Sequence, residues 1–249
     1  MVLCLLTLFT PFGLHLAYVI VHECCHGSFF GTRRLNEIIG TIFGALSLTP
    51  FKSRQFEHAQ HHAFSGSYSE PTVQRGIERF GSPQPRLRAV LRFCWKFWVP
   101  VFAANEQIAL WKNARAIDII LAAVIWLPTI YWYPWMLIVI YFYLVLIEFV
   151  NLPHHLAEDI WETKGAVPRK EQLRAAKSCA DIPIISKWFF LNFNRHRAHH
   201  LLPALYWADL PAIPDDSKKH SELSWHLDHR SKTFEQAFAK YLPKADVAF

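Results

Sequence analysis

At 249 residues the chain fits one domain of ordinary size, and its charged fraction of 18% beside 52% apolar residues is low for a soluble domain, where about a quarter is usual. All 26 Lys and Arg fall between Arg33 and Arg115 or between Lys164 and Lys244, with none in residues 1–21 or 116–150, which predicts an integral membrane protein with two cytoplasmic basic segments. A net charge of +6 does not point to nucleic acid, because no DNA- or RNA-reading motif occurs and basic loops beside anionic headgroups account for the sign.

Residues 1–21 predict a membrane helix broken by Pro11 and Gly13 and carrying His15 inside it. The segment has no positive n-region and runs directly into His22, unlike a cleaved signal. Residues 38–51 are apolar but short, and Gly40, Gly44 and Pro50 interrupt them, so they read as a re-entrant or interfacial piece. In residues 86–104, four cations alternate with Leu87, Leu91, Phe93, Trp95, Phe97 and Trp98. This reads equally as a helix in the headgroup plane or as a solvated amphipathic helix on the protein body. Residues 117–150 are too long for one untilted span. Aromatics and Pro134 at 131–135 predict a turn between two arms of roughly 16–18 residues. Beyond Val150 the chain reads as polar, with a loop at 209–216 and a short helix at 234–241. The expected fold is all-α: an integral membrane helical bundle of one domain, residues 1–249, with a cytoplasmic helical cap. Placing both basic segments on one side favours an even number of spans, which implies a further upstream helix.

Cys4, Cys24, Cys25, Cys94 and Cys179 contain no C-x-x-C, so neither a disulfide framework nor a zinc ribbon is written here. Histidine carries the chemistry instead. Ten of the fourteen histidines lie in four clusters: His22 and His26; His58, His61 and His62; His154 and His155 after Asn151; and His196, His199 and His200. At this histidine frequency about 0.04 H-x-x-H-H matches are expected per chain, and two occur. Residues three and four apart share a helix face, so each cluster offers imidazoles to a common point. Imidazole suits Fe, Zn and Cu far better than Ca or Mg. Eight or nine such ligands exceed one coordination sphere, so two metals are expected. His15, His220, His226 and His229 read as structural or surface residues. Glu23, Glu57, Glu148, Glu158 and Asp181 are candidates to hold the far nitrogen of a bound imidazole.

The runs H-E-C-C-H-G-S-F-F at 22–30, H-x-x-H-H at 58–62 and H-x-x-H-H-L-x-P at 196–203 resemble the three histidine boxes of the membrane fatty acid desaturase and hydroxylase superfamily. Residues 151–155 resemble its N-x-x-x-H element. The resemblance implies a di-iron centre that activates O₂ at the cytoplasmic face. It implies His22, His26, His58, His61, His62, His155, His196, His199 and His200 as iron ligands, and Asn151 as the holder of a metal-bound water. His154 has no clear counterpart and is the weaker candidate. Two departures are the absence of one helix of the usual first hairpin and the vicinal Cys24 and Cys25.

The implied activity is O₂-dependent desaturation of a fatty acyl chain carried by a lipid or acyl carrier. The alternatives are hydroxylation or ketolation of an alkane, carotenoid or other lipid, and a membrane metal-binding protein without catalysis. Metal pathways place their ligands inside spans, whereas these clusters sit at span ends, which argues against transport. No fused haem, flavin or iron–sulfur motif is present, so a separate ferredoxin, rubredoxin or small haem protein is the implied electron donor.

Overall fold

The computed structural model describes residues 2–71, 74–75, 104, 106–155, 166–168, 171–173, 176–182 and 184–214. The described residues hold no β-strand, and their helices include α1 (Val2–His26), α2 (Arg33–Leu46), α3 (Phe51–Phe64), α4 (Ala116–Trp132), α5 (Met136–His155) and α6 (His196–Leu201). A π-helical turn covers Ile185–Phe189 and a 3₁₀ turn covers Trp207–Ala212. The basic and aromatic stretch at 86–104, apart from Ala104, lies outside the described residues, as do Glu158 and residues 234–241.

Three expectations need correction. The first helix is not broken at Pro11 and Gly13 but runs unbroken for 25 residues and takes in His22 and His26. Proline removes one backbone bond, and in apolar surroundings the remaining bonds cost too much to give up. Residues 38–51, expected as an interrupted re-entrant or interfacial piece, are not interrupted at Gly40 and Gly44: most of them belong to α2, a regular helix lying along α1. Part of the expected loop at 209–216 is the 3₁₀ turn, with Pro211 inside it. The hairpin stands as expected, α4 and α5 joined through 133–135 with Met136 N–H donating to Tyr133 O at 2.9 Å.

These helices are apolar on the outside. On α2 the buried side is Asn36, Gly40, Thr41, Gly44 and Ala45, whereas Leu35, Ile38 and Ile42 are exposed. On α4, Ala122 and Trp126 are buried while Ile119, Ile120, Val124 and Leu127 are exposed. On α5, Val139, Tyr143, Ile147 and Val150 line one buried stripe at helical spacing. Apolar surface of this extent marks a face made for something other than water. Thr7–His26 is the one described helix both long and apolar enough to cross a membrane; Ala116–Trp132 and Met136–Asn151 are apolar but shorter.

The small residues of α2 have a measurable purpose. A Cβ on Gly40 would sit 2.3 Å from the Phe51 ring, and one on Gly44 would sit 2.5 Å from Thr49 O. The chain can therefore fold back tightly after α2 and start α3 at Pro50, whose φ of −63° suits a helix entry. This buried link, in which Leu48 takes a φ of 53°, is held by three aromatic donors. Trp126 Nε1 donates to Ala45 O at 2.9 Å, Tyr143 Oη to Ser47 O at 2.7 Å and Trp111 Nε1 to Leu48 O at 2.9 Å. Carbonyls at a helix end lack intrahelical partners, and here α4, α5 and the helical segment at 106–111 supply them. The link in turn fixes where α3 presents its histidines. Tyr143→Phe should remove the shorter of two hydrogen bonds to buried Ser47 O, which keeps only Thr49 Oγ1 at 3.1 Å, at a cost of about 0.5–1.5 kcal/mol. Thermal unfolding in detergent should show a lowered midpoint, and an unchanged one would mean the link is held by packing alone.

Candidate metal centre

α1 delivers His22 and His26 in its last turn, which ends at Gly27 in the left-handed region with a φ of 72°. A glycine tolerates this at no steric cost, and the turn brings Ser28 back against the helix. Ser28 Oγ donates to Glu23 Oε2 at 3.0 Å, and His22 Nδ1 donates to Glu23 Oε1 at 3.1 Å. The glycine and serine that follow the first cluster thus orient its first histidine through Glu23. Asn36 stabilises the same turn, donating to Gly27 O, Phe30 O and Thr32 O and accepting from Phe30 N–H.

Eight histidines converge in two sets. In the first, His22, His26, His58, His62 and His199 place one ring nitrogen each within 4.8 Å of all the others. Nε2 of His58 lies 2.7 Å from that of His26 and 3.1 Å from that of His62, which is itself 3.1 Å from Nε2 of His199. In the second set, His200 Nε2 lies 3.3 Å from His61 Nε2 and 3.1 Å from His196 Nε2. Imidazoles bound to one ion at about 2.1 Å would hold their nitrogens roughly 3.0–3.4 Å apart, for octahedral to tetrahedral angles. The His58–His62, His62–His199, His61–His200 and His196–His200 separations fall in that range, while His26 and His58 approach more closely. His22 Nε2 adds a second sign, since it is buried with no hydrogen-bond partner while its Nδ1 is occupied.

The far nitrogens are held by neighbours. His61 Nδ1 donates to Glu70 Oε1 at 2.8 Å, and Glu70 Oε2 accepts from Gly66 N–H at 3.0 Å. His200 Nδ1 donates to Gln172 Oε1 at 3.3 Å, and the Gln172 amide nitrogen donates to His62 O and Val167 O, which fixes its orientation. An acceptor at Nδ1 puts the proton there and leaves the lone pair on Nε2, directed inward. Burial foremost, with the neighbouring imidazoles adding to it, holds His58 and His199 well below the usual imidazole range. Both stay neutral, as metal binding requires.

The fatty acid desaturase family profile matches residues 1–222. The chain belongs to the fatty acid desaturase family. An omega-6 fatty acid desaturase of Glycine max, the endoplasmic reticulum isozyme 2, is 23% identical over 234 residues, covering 76% of this chain and 58% of that protein. A Delta(12) fatty acid desaturase of Calendula officinalis is 22% identical over the same coverage of 76% and 58%. A fatty acid desaturase of Bacillus subtilis (strain 168) is 44% identical over 50 residues, 20% of this chain and 14% of that one. This chain therefore spans less than two thirds of the length of these relatives. No solved structure matches.

Against the expected residues of this desaturase-family site, eight of the nine histidines lie in the two sets. The ninth, His155, is in the last turn of α5, but its side chain lies outside the described residues. The Asn151 cluster does not follow α5, as expected, but forms its end, and Asn151 is buried. His154 is fully buried, its Nδ1 donates to Lys177 O at 2.7 Å, and its ring lies 5.1 Å from that of His196. Of the carboxylates considered, Glu23 holds a histidine. Glu57 instead pairs with Arg75, and Asp181 with Arg195 and Asn194. Glu148 and Asn151 line a cavity of about 70 Å³ together with His22, His58, His61 and His196. Glu70 and Gln172 had no mark in the sequence, lying 9 and 28 residues from the histidines they hold.

Glu70→Ala should weaken metal binding about 10–100-fold, as loss of such a partner typically does. Titration of the chelated protein with Fe²⁺ or Co²⁺ would measure this, and unchanged affinity would make Glu70 a loop support only. Acidification gives a further test. His58 and His199 are depressed in the fold, so below about pH 6.5 the unfolded chain binds more protons and stability falls with falling pH. The unfolding midpoint of metal-free protein should drop between pH 7 and 5, and less steeply in His199→Gln.

Proposed function

We propose that the chain is an O₂-dependent di-iron desaturase that introduces a double bond into a fatty acyl chain, acting as a single multi-pass membrane domain with its histidines facing the cytoplasm. The observation that carries this reading is the convergence of family-matched histidines into two sets at metal-binding distances. Two sets match two ions, and nitrogen-rich sites with neutral imidazoles suit iron. Three helices that start at different points of the sequence bring their histidines to one place, which supports a common side of the membrane.

His22, His26, His58, His62 and His199 would hold one iron, and His61, His196 and His200, with His155, the other. Bound iron and O₂ would supply an oxidant able to take hydrogen from an unactivated methylene, which no side chain can do. The chain's own part is binding, orientation and exclusion. Glu23, Glu70 and Gln172 keep the imidazole lone pairs aimed inward. Asn151, at the cavity wall, offers an amide to a small oxygen ligand there. At about 70 Å³ the cavity has room for water or O₂ beside the histidines. Two electrons come from a separate donor of the ferredoxin, rubredoxin or small haem protein class, and two protons from solvent. The basic cytoplasmic segments would steer an acidic carrier.

Purified protein should contain about two irons per chain, and cells expressing it should gain alkenes rather than alcohols in their acyl lipids by mass spectrometry. One zinc and no iron in active protein would sink the di-iron reading, and alcohol products would turn it toward a hydroxylase. His155→Ala should lower iron content and abolish turnover, whereas His154→Ala should be milder, since His154 belongs to neither set and its Nδ1 is held by Lys177 O. Asn151→Ala should lose most activity while retaining iron. Full activity in His155→Ala would remove that residue from the site.

A further inference from the structure

The segment just before the third histidine cluster is apolar, exposed and set low on the molecule. Ile184, Ile185, Trp188 and Phe189 are exposed at 69%, 42%, 57% and 43%, around the single buried Ser186. Ile184 enters the turn at a φ of 68°, a region that β-branched residues avoid, so the surroundings impose this conformation. The turn is fastened beneath the histidines by its exit. Phe190 packs edge-on against His15 with ring centroids 5.2 Å apart, and Leu191 and Phe193 join Leu14 and Tyr18 in the core. His15 precedes His22 by seven residues on α1, so this contact lies about 10 Å along the helix from the first histidine, toward the middle of the apolar stretch Thr7–His26.

The backbone of the turn is equipped for surroundings without water. Ser186 N–H donates to Ile182 O and Trp188 N–H to Ile184 O, each at 2.8 Å; Phe190 N–H donates to Ile185 O at 3.2 Å and Asn192 N–H to Ser186 O at 2.7 Å. Ser186 Oγ also accepts from Ile182 N–H at 2.8 Å. Non-helical backbone survives at bilayer depth only when satisfied in this way. Lys187 Nζ lies 5.1 Å from the Trp188 ring centroid, placing a cation beside an interfacial aromatic.

We propose that residues 184–189 form a membrane anchor that inserts into the acyl–headgroup boundary of the leaflet on the histidine side and fixes the height of the third histidine cluster. Its occupant is lipid, with Lys187 reaching anionic headgroups and Ile184, Ile185, Trp188 and Phe189 meeting acyl chains. Lipid is favoured over a protein partner because the turn is fastened at Phe190 to His15, inside the apolar stretch of α1, a helix that itself exposes Leu8, Phe9 and Phe12. The proposal rests on the reading of α1 as a span, and the experiment separates the two.

The full chain, reconstituted in phosphatidylcholine vesicles with one fifth phosphatidylglycerol, would carry a fluorescent amino acid at position Trp188 in one preparation and at position Leu8 in another. Both positions are exposed, so folding is spared. Nitroxide lipids labelled near the headgroup should strongly quench the probe at 188, and aqueous iodide should leave it nearly untouched. Iodide quenching at 188 with Leu8 still shielded would overturn the anchor and leave α1 a span. Iodide quenching at both positions would overturn the anchor and the span together. Shielding of 188 from iodide and from nitroxide lipids alike would mean that protein covers the turn, and would also overturn the anchor.

Discussion

A buried imidazole has two nitrogens, and each must find a partner or a charge away from water. The architecture follows from how this need is met around His22, His61 and His200. One nitrogen of each is given to Glu23, Glu70 or Gln172, which leaves the other facing a shared interior. Without those acceptors the rings could turn outward or exchange tautomers, and the convergence in two sets would be lost. Gln172 ties two clusters at once, since its amide oxygen receives His200 while its nitrogen meets the carbonyl of His62. The third cluster is therefore positioned against the second by one side chain from a segment that carries no histidine.

The second dependence is on small residues inside and large ones outside. Gly40 and Gly44 let the chain after α2 come close enough for Trp126, Tyr143 and Trp111 to take its carbonyls. A soluble helix would turn Ile38 and Ile42 inward and leave polar residues outside. Here the order is reversed, which suits helices whose association is driven by close packing and hydrogen bonds rather than by water expulsion.

Much of this was legible in the sequence because the decisive signals are local. The histidine spacings of three and four residues required helices, and α1, α3 and α6 present them so. The α4–α5 hairpin was legible from its aromatic turn. What escaped has a common physical cause: it depends on contacts between segments far apart in the chain. Glu70 and Gln172 look like any surface residue in sequence. The continuity of α1 through Pro11 depends on its surroundings rather than on proline's own preference. Residues 184–189 passed as part of a polar tail because four apolar side chains in six residues have no helical or strand period, and only the contact of Phe190 with His15 shows their depth.

Helix length supplies the last constraint. Rising 1.5 Å per residue, α5 carries its chain about 27 Å from Met136 at the hairpin turn to His154, close to the roughly 30 Å of a bilayer core. α1 covers a similar distance, about 30 Å from Val2 to His22. Two helices that both run toward the site thus reach the same height with their histidines, although nothing in their sequences refers to each other. One inserted residue in either helix would lift its cluster by about 1.5 Å and rotate it by about 100°, turning a ligand from the interior to the outside. The register of the site is set by counting residues along apolar helices, so the spacing within and before each histidine cluster matters more to the centre than the identity of the apolar residues between.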